Sequence, residues 1–236
     1  MRLVVQILKD QLRFLFFRGL SPAIGTRWRA YLAFGLSVTW LAGIGRYWDH
    51  SAAHLWQMLG FGSLAYVFVL ALLLWLLIAP LGPQRWSYRN VLLFVTLTSA
   101  PALLYAIPVE RFMPLRDAQS ANAWFLLAVA AWRVALYAWY LRAVAKLSML
   151  RTVVSVVLPL TLIVAALAVL NLEHAVFAIM GGIRGGTPHD GAYTIIWMLS
   201  LLSTILAPLF GLAYCAIVFS DWRNKRGLFT LRGASG

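Results

Sequence analysis

Acidic residues are scarce in this chain: seven Asp and Glu in 236 residues, against 20 Lys and Arg. Charge of any kind is rare too, at 11%, where a soluble domain carries about 25%. So thin a charged surface cannot clothe a water-soluble globule, and it excludes a disordered polyelectrolyte. The single cysteine, Cys215, excludes an intrachain disulfide and stands in an apolar run, where a thiol acts as a small hydrophobe. Missing as well are G-x-S-x-G, H-E-x-x-H, C-x-x-C and any nucleotide fingerprint, so the motifs of common hydrolases, zinc proteases and nucleotide enzymes give no lead.

What fills the chain instead is hydrocarbon, 62% by count. A helix needs about 20 apolar residues to cross a core about 30 Å thick. Six runs approach that length, at about 31–45, 55–79, 91–108, 122–141, 152–172 and 192–219. A stretch such as LAYVFVLALLLWLLIA shows no alternation, which argues against barrel strands. The sequence therefore predicts an all-α polytopic transmembrane bundle with six crossings. Residues 1–29 form a segment ahead of the bundle, 30–220 the membrane domain and 221–236 a basic tail.

Orientation follows from the cations. Fifteen Lys and Arg fall before the first run, in the second and fourth loops and in the tail; four fall in the first, third and fifth loops. That bias puts both termini in the cytoplasm and the basic side against anionic lipids. The net charge of +13 thus records topology and does not imply nucleic acid. Arginine exceeds lysine 17 to 3 and the loops are compact, which points to a bacterial cytoplasmic (inner) membrane. The expected partners are the bilayer, its anionic lipids and other membrane proteins.

MRLVVQILKDQLRFLFFR at the start lacks the unbroken core of a targeting signal, because Lys9, Asp10 and Arg13 interrupt it. At helical spacing Leu3, Val4, Ile7, Leu8, Leu12, Leu15 and Phe16 share one face, with Arg2, Gln6, Lys9, Asp10 and Arg13 largely opposite. This is the pattern of an amphipathic helix lying flat in the cytoplasmic interface.

Three features carry chemistry. First, all four histidines fall in exterior loops, three of them beside a carboxylate: Asp49-His50, Glu173-His174 and His189-Asp190. His54 follows His50 by four residues, a spacing at which two imidazoles can share one ion. Converging loops would make a divalent-metal site on the outer face; otherwise these are polar residues of wet loops. Second, Arg133 sits inside the fourth run, nine residues or about 13 Å from Arg142. A charge at such depth costs about 2.5–3.5 kcal/mol on insertion scales, and no carboxylate lies in any of the six runs. It either anchors an anionic group or snorkels past Tyr137 toward the cytoplasm.

Third, Pro101, Pro159 and Pro208 interrupt runs three, five and six, with hydroxyls upstream: Thr96, Thr98 and Ser99; Ser155; Ser203 and Thr204. Bent helices with small polar groups line cavities in many carriers, and they also ease packing in plain bundles. The glycine-rich MGGIRGGTPHDG at 180–191 reads as an exterior loop, while the preceding NLEHAVFAIM either continues the fifth helix or lies on the surface.

The readings this leaves are a small transport component with a polar cavity at Arg133, Tyr137, Thr96, Thr98, Ser99, Ser203 and Thr204; an accessory protein holding lipids or partner proteins; and a metal-dependent membrane protein or enzyme. Reporters fused to the two termini are expected to signal from the same, cytoplasmic, compartment; signals from opposite compartments would overturn the six-run topology.

Overall fold

Backbone in hydrocarbon has no water to satisfy its N–H and C=O groups, so apolar runs resolve into helices. The computed structural model describes residues 2–47, 54–170 and 191–233, with no strand among them. In chain order these form α1 (Arg2–Leu15), α2 (Pro22–Thr26), α3 (Trp28–Tyr47), α4 (Leu55–Met58), α5 (Phe61–Ile78), α6 (Tyr88–Leu97), α7 (Leu115–Ala143), α8 (Met149–Val169) and α9 (Gly191–Gly233). Short 3-10 turns follow α5 at Ala79–Leu81 and α6 at Ala100–Ala106 and Val109–Arg111. NLEHAVFAIM and the glycine-rich stretch up to residue 190 lie outside the described residues.

Four stretches are long and apolar enough to cross a bilayer: Phe61–Leu81, Ser120–Ala143, Met149–Val169 and Trp197–Asn224. They match the second, fourth, fifth and sixth runs. The second run is shorter than the sequence reading has it. Its first residues form the separate α4, and the chain turns at Gly60, whose φ of 73° is left-handed. A Cβ there would come within 2.7 Å of the Trp40 carbonyl oxygen, so α3 can pass this close only because the residue is glycine.

The first run is the 20-residue α3, which is more polar than the four. Its buried stripe, Tyr31, Gly35, Thr39, Ala42 and Gly43, repeats at helical intervals. A side chain at Gly35 would strike Thr96 of α6 and one at Gly43 would strike Ser63 of α5, each within 2.7 Å. Small residues thus let α3 wedge between α5 and α6, as they do at helix contacts in lipid.

The third run does not form one helix. α6 ends at Leu97 and the chain tightens into the 3-10 turn that holds Pro101. Proline has no N–H to offer the carbonyl four residues back, which here is Leu97. The side-chain amide of Gln11 donates to that carbonyl instead. At Pro159 and Pro208 the helices α8 and α9 continue unbroken.

Gln11 belongs to α1, and the way α1 packs differs from the sequence reading. Ile7, Asp10, Gln11 and Phe14, at intervals of three and four, form a buried stripe against the bundle. Asp10, read from sequence as water-facing, is 7% exposed and accepts a hydrogen bond from the Tyr31 hydroxyl. Val4, Leu8, Leu12 and Phe16 remain exposed on a second side, and Lys9 and Arg13 on a third. Phe14 is fully enclosed, edge-on to Phe94 and Trp139 at 6.0 and 6.1 Å. The indole of Trp132 donates to the Leu15 carbonyl at 2.9 Å, closing the end of α1.

Contacts between helix ends define two poles. At one, Gln84 N–H donates to the Ala145 carbonyl at 2.9 Å, and Arg151 reaches the Leu81 carbonyl and the Asp221 carboxylate, both at 2.7 Å. Arg89 lies over the Trp28 ring there. At the other, the Trp40 indole donates to the Leu59 carbonyl at 2.7 Å, and Gly45 meets Ala106. The first pole gathers Arg85, Arg89, Arg142, Lys146 and Arg151, so it is the cationic one.

Gln11→Leu strands the Leu97 carbonyl, and a lost buried partner costs about 1–3 kcal/mol. Unfolding in detergent is expected to show that loss in the natural background. A much smaller loss is expected beside Pro101→Ala, which restores an N–H for Leu97. Strict additivity of the two substitutions would refute the capping role.

Candidate functional site

The break after Leu97 brings polar groups to the interior of an apolar bundle. Leu97 lies nine residues, about 13 Å, along α6 from Tyr88. Arg133 lies ten residues, about 15 Å, from the end of α7 at Ala143. Both helices have those ends at the cationic pole, so the break and Arg133 stand at similar depth. Phe94 links the elements: its ring is 6.0 Å from Phe14 of α1 and 5.9 and 4.4 Å from Tyr137 and Tyr140 of α7.

Thr96, Thr98 and Ser99 are all buried at this break. Each hydroxyl proton serves the helix that carries it. Thr96 donates to the Leu92 and Leu93 carbonyls at 3.0 Å, Thr98 to Val95 at 2.7 Å and Ser99 to Val95 at 3.3 Å. Such back-bonding satisfies a helix terminus locally, and it leaves only oxygen lone pairs for anything else.

Arg133 occupies the inward stripe of α7. Val129, Leu136, Tyr137, Tyr140 and Leu141, at helical intervals around it, are all buried, and Arg133 itself is half-buried. Among the described residues no carboxylate lies within ion-pair distance of it. One turn on, the Tyr137 hydroxyl is enclosed and has no hydrogen-bond partner, and the Oε1 of Gln11 shares that condition. Buried polar atoms are paired in the large majority of cases; the hydroxyls of Ser155 on α8 and Ser200 on α9 are the other two exceptions among the described residues, so the region of the break holds half of them.

Of the seven residues assigned to a cavity from sequence, five therefore fall around the α6 break or one turn along α7 from it: Thr96, Thr98, Ser99, Arg133 and Tyr137. Ser203 and Thr204 lie on α9, whose main neighbour is α8. Ser203 is buried, while Thr204 is exposed and donates to the Ser200 carbonyl at 2.8 Å.

The exterior metal set is described only at His54, an exposed residue ahead of α4 whose backbone N–H donates to Gln57 Oε1 at 2.9 Å. Asp49, His50, Glu173, His174, His189 and Asp190 lie outside the described residues. Among the described residues no three His, Cys, Asp or Glu gather as metal ligands.

Sequence reasoning missed Asp10, Gln11 and Tyr31. Their signal was the 3-1-3 spacing of Ile7, Asp10, Gln11 and Phe14, which a division of α1 into one apolar and one polar face obscures. It also missed two concavities. One, of about 300 Å³, lies at the end of α1 between Leu12, Arg13, Phe16 and Arg18. The other, of about 320 Å³, is at the cationic pole and is lined by residues of α2, α6 and α7, Arg89 among them, together with Trp28 at the start of α3 and Arg85 in the connection before α6. Arg133 lines neither.

Removing an orphan hydroxyl relieves a desolvated polar group. Tyr137→Phe is expected to raise the unfolding midpoint in detergent, by the equivalent of about 1 kcal/mol. A fall in the midpoint would show that the hydroxyl has a partner worth keeping.

Comparison of the chain with protein-family models, curated proteins and solved structures finds no match.

Proposed function

We propose that this chain is a six-pass protein of a bacterial cytoplasmic membrane, with both termini on the cationic side, acting as a small transport component for an anionic solute. The two poles support the topology. α3, α5, the α6 segment, α7 and α8 alternate between them, and Asp221 returns α9 to the cationic one. The split third pass is tolerable in lipid because its freed backbone is covered by protein, here α1.

One observation carries the transport reading: Arg133 lies on the bundle-facing stripe of α7 with no acidic partner among the described residues. An ionisable residue inside a membrane segment faces a functional interior more often than lipid. An anion moving through the bundle would gain a guanidinium there, with the Tyr137 hydroxyl one turn away. α1 covers this region through Gln11 and Phe14, so its withdrawal is the motion that would open it. The bundle as described is closed, with Phe14, Leu97 and Leu136 all 2% exposed or less.

A second reading, an accessory protein that holds partners through helix faces, is favoured by α9. In Trp197–Asn224 only 6% of the most apolar window is buried, against 28–33% in the other three spans. An outer helix so little covered by its own chain is available to a neighbouring membrane protein as well as to lipid.

Proteoliposomes holding chloride, phosphate or succinate separate the two readings. Transport predicts protein-dependent efflux of at least one of these anions, lost in Arg133→Leu and partly kept in Arg133→Lys. No efflux of any of them from correctly inserted protein, or efflux unchanged by Arg133→Leu, would overturn it in favour of the accessory role.

A further inference from the structure

The cavity of about 320 Å³ at the cationic pole is at the lower bound for small-molecule sites. It is lined along α6 by Arg89, Leu93 and Leu97. These recur every four residues and so share one helix face. Over about 12 Å that face changes from cationic to apolar. Arg89 is exposed, while Leu93 and Leu97 are buried. Arg85 joins Arg89 in the lining, and Ile24 and Phe94 extend the apolar wall.

The Arg89 guanidinium and the Arg85 backbone are each held in place, and neither side chain has a counter-ion among the described residues. The Arg89 guanidinium carbon lies 5.4 Å from the centre of the Trp28 ring, a cation–π distance. Arg85 adopts a left-handed backbone (φ 51°), and the Asn90 side-chain amide donates to its carbonyl at 2.8 Å. Among the described residues neither arginine pairs with a carboxylate. Asp10 is engaged by Tyr31 and Asp221 by Arg151.

We propose that this cavity binds an anionic phospholipid of the cationic-side leaflet, its phosphate between Arg85 and Arg89 and the first part of an acyl chain along Leu93 and Leu97. A free phosphate would satisfy the arginines and leave the apolar wall wet. A zwitterionic lipid would fill the wall and bring its own cation to the arginines. Only an anionic amphiphile answers both halves. At about 30 Å³ per water-sized group the space takes roughly ten such groups. That is a phosphate with the start of a chain, the remainder of the lipid lying in the bilayer. Asn90 acts as a positioning residue through the Arg85 carbonyl. The cavity shares Phe94, Leu97 and Tyr140 with the surroundings of the break but does not include Arg133, and lipid retention is read without any transport assay.

The test uses the full chain in a neutral detergent, with bound lipid counted by native mass spectrometry after adding phosphatidylglycerol or phosphatidylcholine. One phosphatidylglycerol is expected to be retained, and phosphatidylcholine far less. R85Q combined with R89Q is expected to lower phosphatidylglycerol occupancy about tenfold, as loss of charge-assisted phosphate bonds would. Arg13→Gln with Arg223→Gln, exposed cations away from the cavity, is expected to leave occupancy unchanged. N90A should weaken retention while both charges remain, and every variant should still be folded at the temperature of the measurement. Equal retention of both lipids, full occupancy in the double arginine variant, or the same loss in the control pair would overturn the proposal. Displacement of the lipid by an equal concentration of inorganic phosphate would reassign the site to the free ion and overturn it too.

Discussion

The amide of Gln11 on the carbonyl of Leu97 is the contact around which the rest of the bundle is arranged. Hydrocarbon offers no donor to a freed carbonyl, and Pro101 frees this one. The donor comes from α1, whose helix must lie against the bundle well below the start of α6 to deliver it. Two further bonds fix it there, from Tyr31 to Asp10 and from Trp132 to the Leu15 carbonyl. Phe14 fills the space that remains between Phe94 and Trp139. A helix that by composition belongs to the membrane surface thereby becomes part of the core.

The same requirement sorts the polar side chains. Those at the break that carry protons, Thr96, Thr98 and Ser99, serve the carbonyls of their own helix. Arg133 and the Tyr137 hydroxyl have no such local outlet and stand on the inward stripe of α7. At the cationic pole the scarcity of carboxylates has a parallel effect. Arg151 finds Asp221 and a terminal carbonyl, whereas Arg85 and Arg89 line a cavity whose walls are otherwise largely apolar. Unmet positive charge thus concentrates at two depths, one inside the bundle and one at its edge.

Much of the frame was legible before any coordinates. The second, fourth, fifth and sixth runs are helices of spanning length, because uninterrupted hydropathy over about 20 residues has one solution in lipid. The three prolines were equally visible, but not their consequences. Pro159 and Pro208 pass without ending a helix, while Pro101 ends one. The difference lies in what surrounds each, and at Pro101 a distant amide caps the carbonyl that a continuing helix would have covered. α1 misled in another way. Its apolar residues divide between a side packed on protein and a side left open, so that a two-faced helical wheel put Asp10 in water.

From the sequence alone follow the membrane class, the places of the long helices, the bias of cations to one side and the isolation of Arg133 from any acid in the runs. These follow from counting hydropathy and charge along the chain, run by run and loop by loop, with no knowledge of which helix faces meet. Tertiary structure decided that Gln11 caps a carbonyl 86 positions away, that Gly35 and Gly43 admit α3 between two neighbours, and that Arg89, Leu93 and Leu97 line one cavity. Each of these depends on which helix faces meet. Many rotations of an apolar helix are nearly equal in lipid, and only the few polar groups and small residues that must find one another select among them.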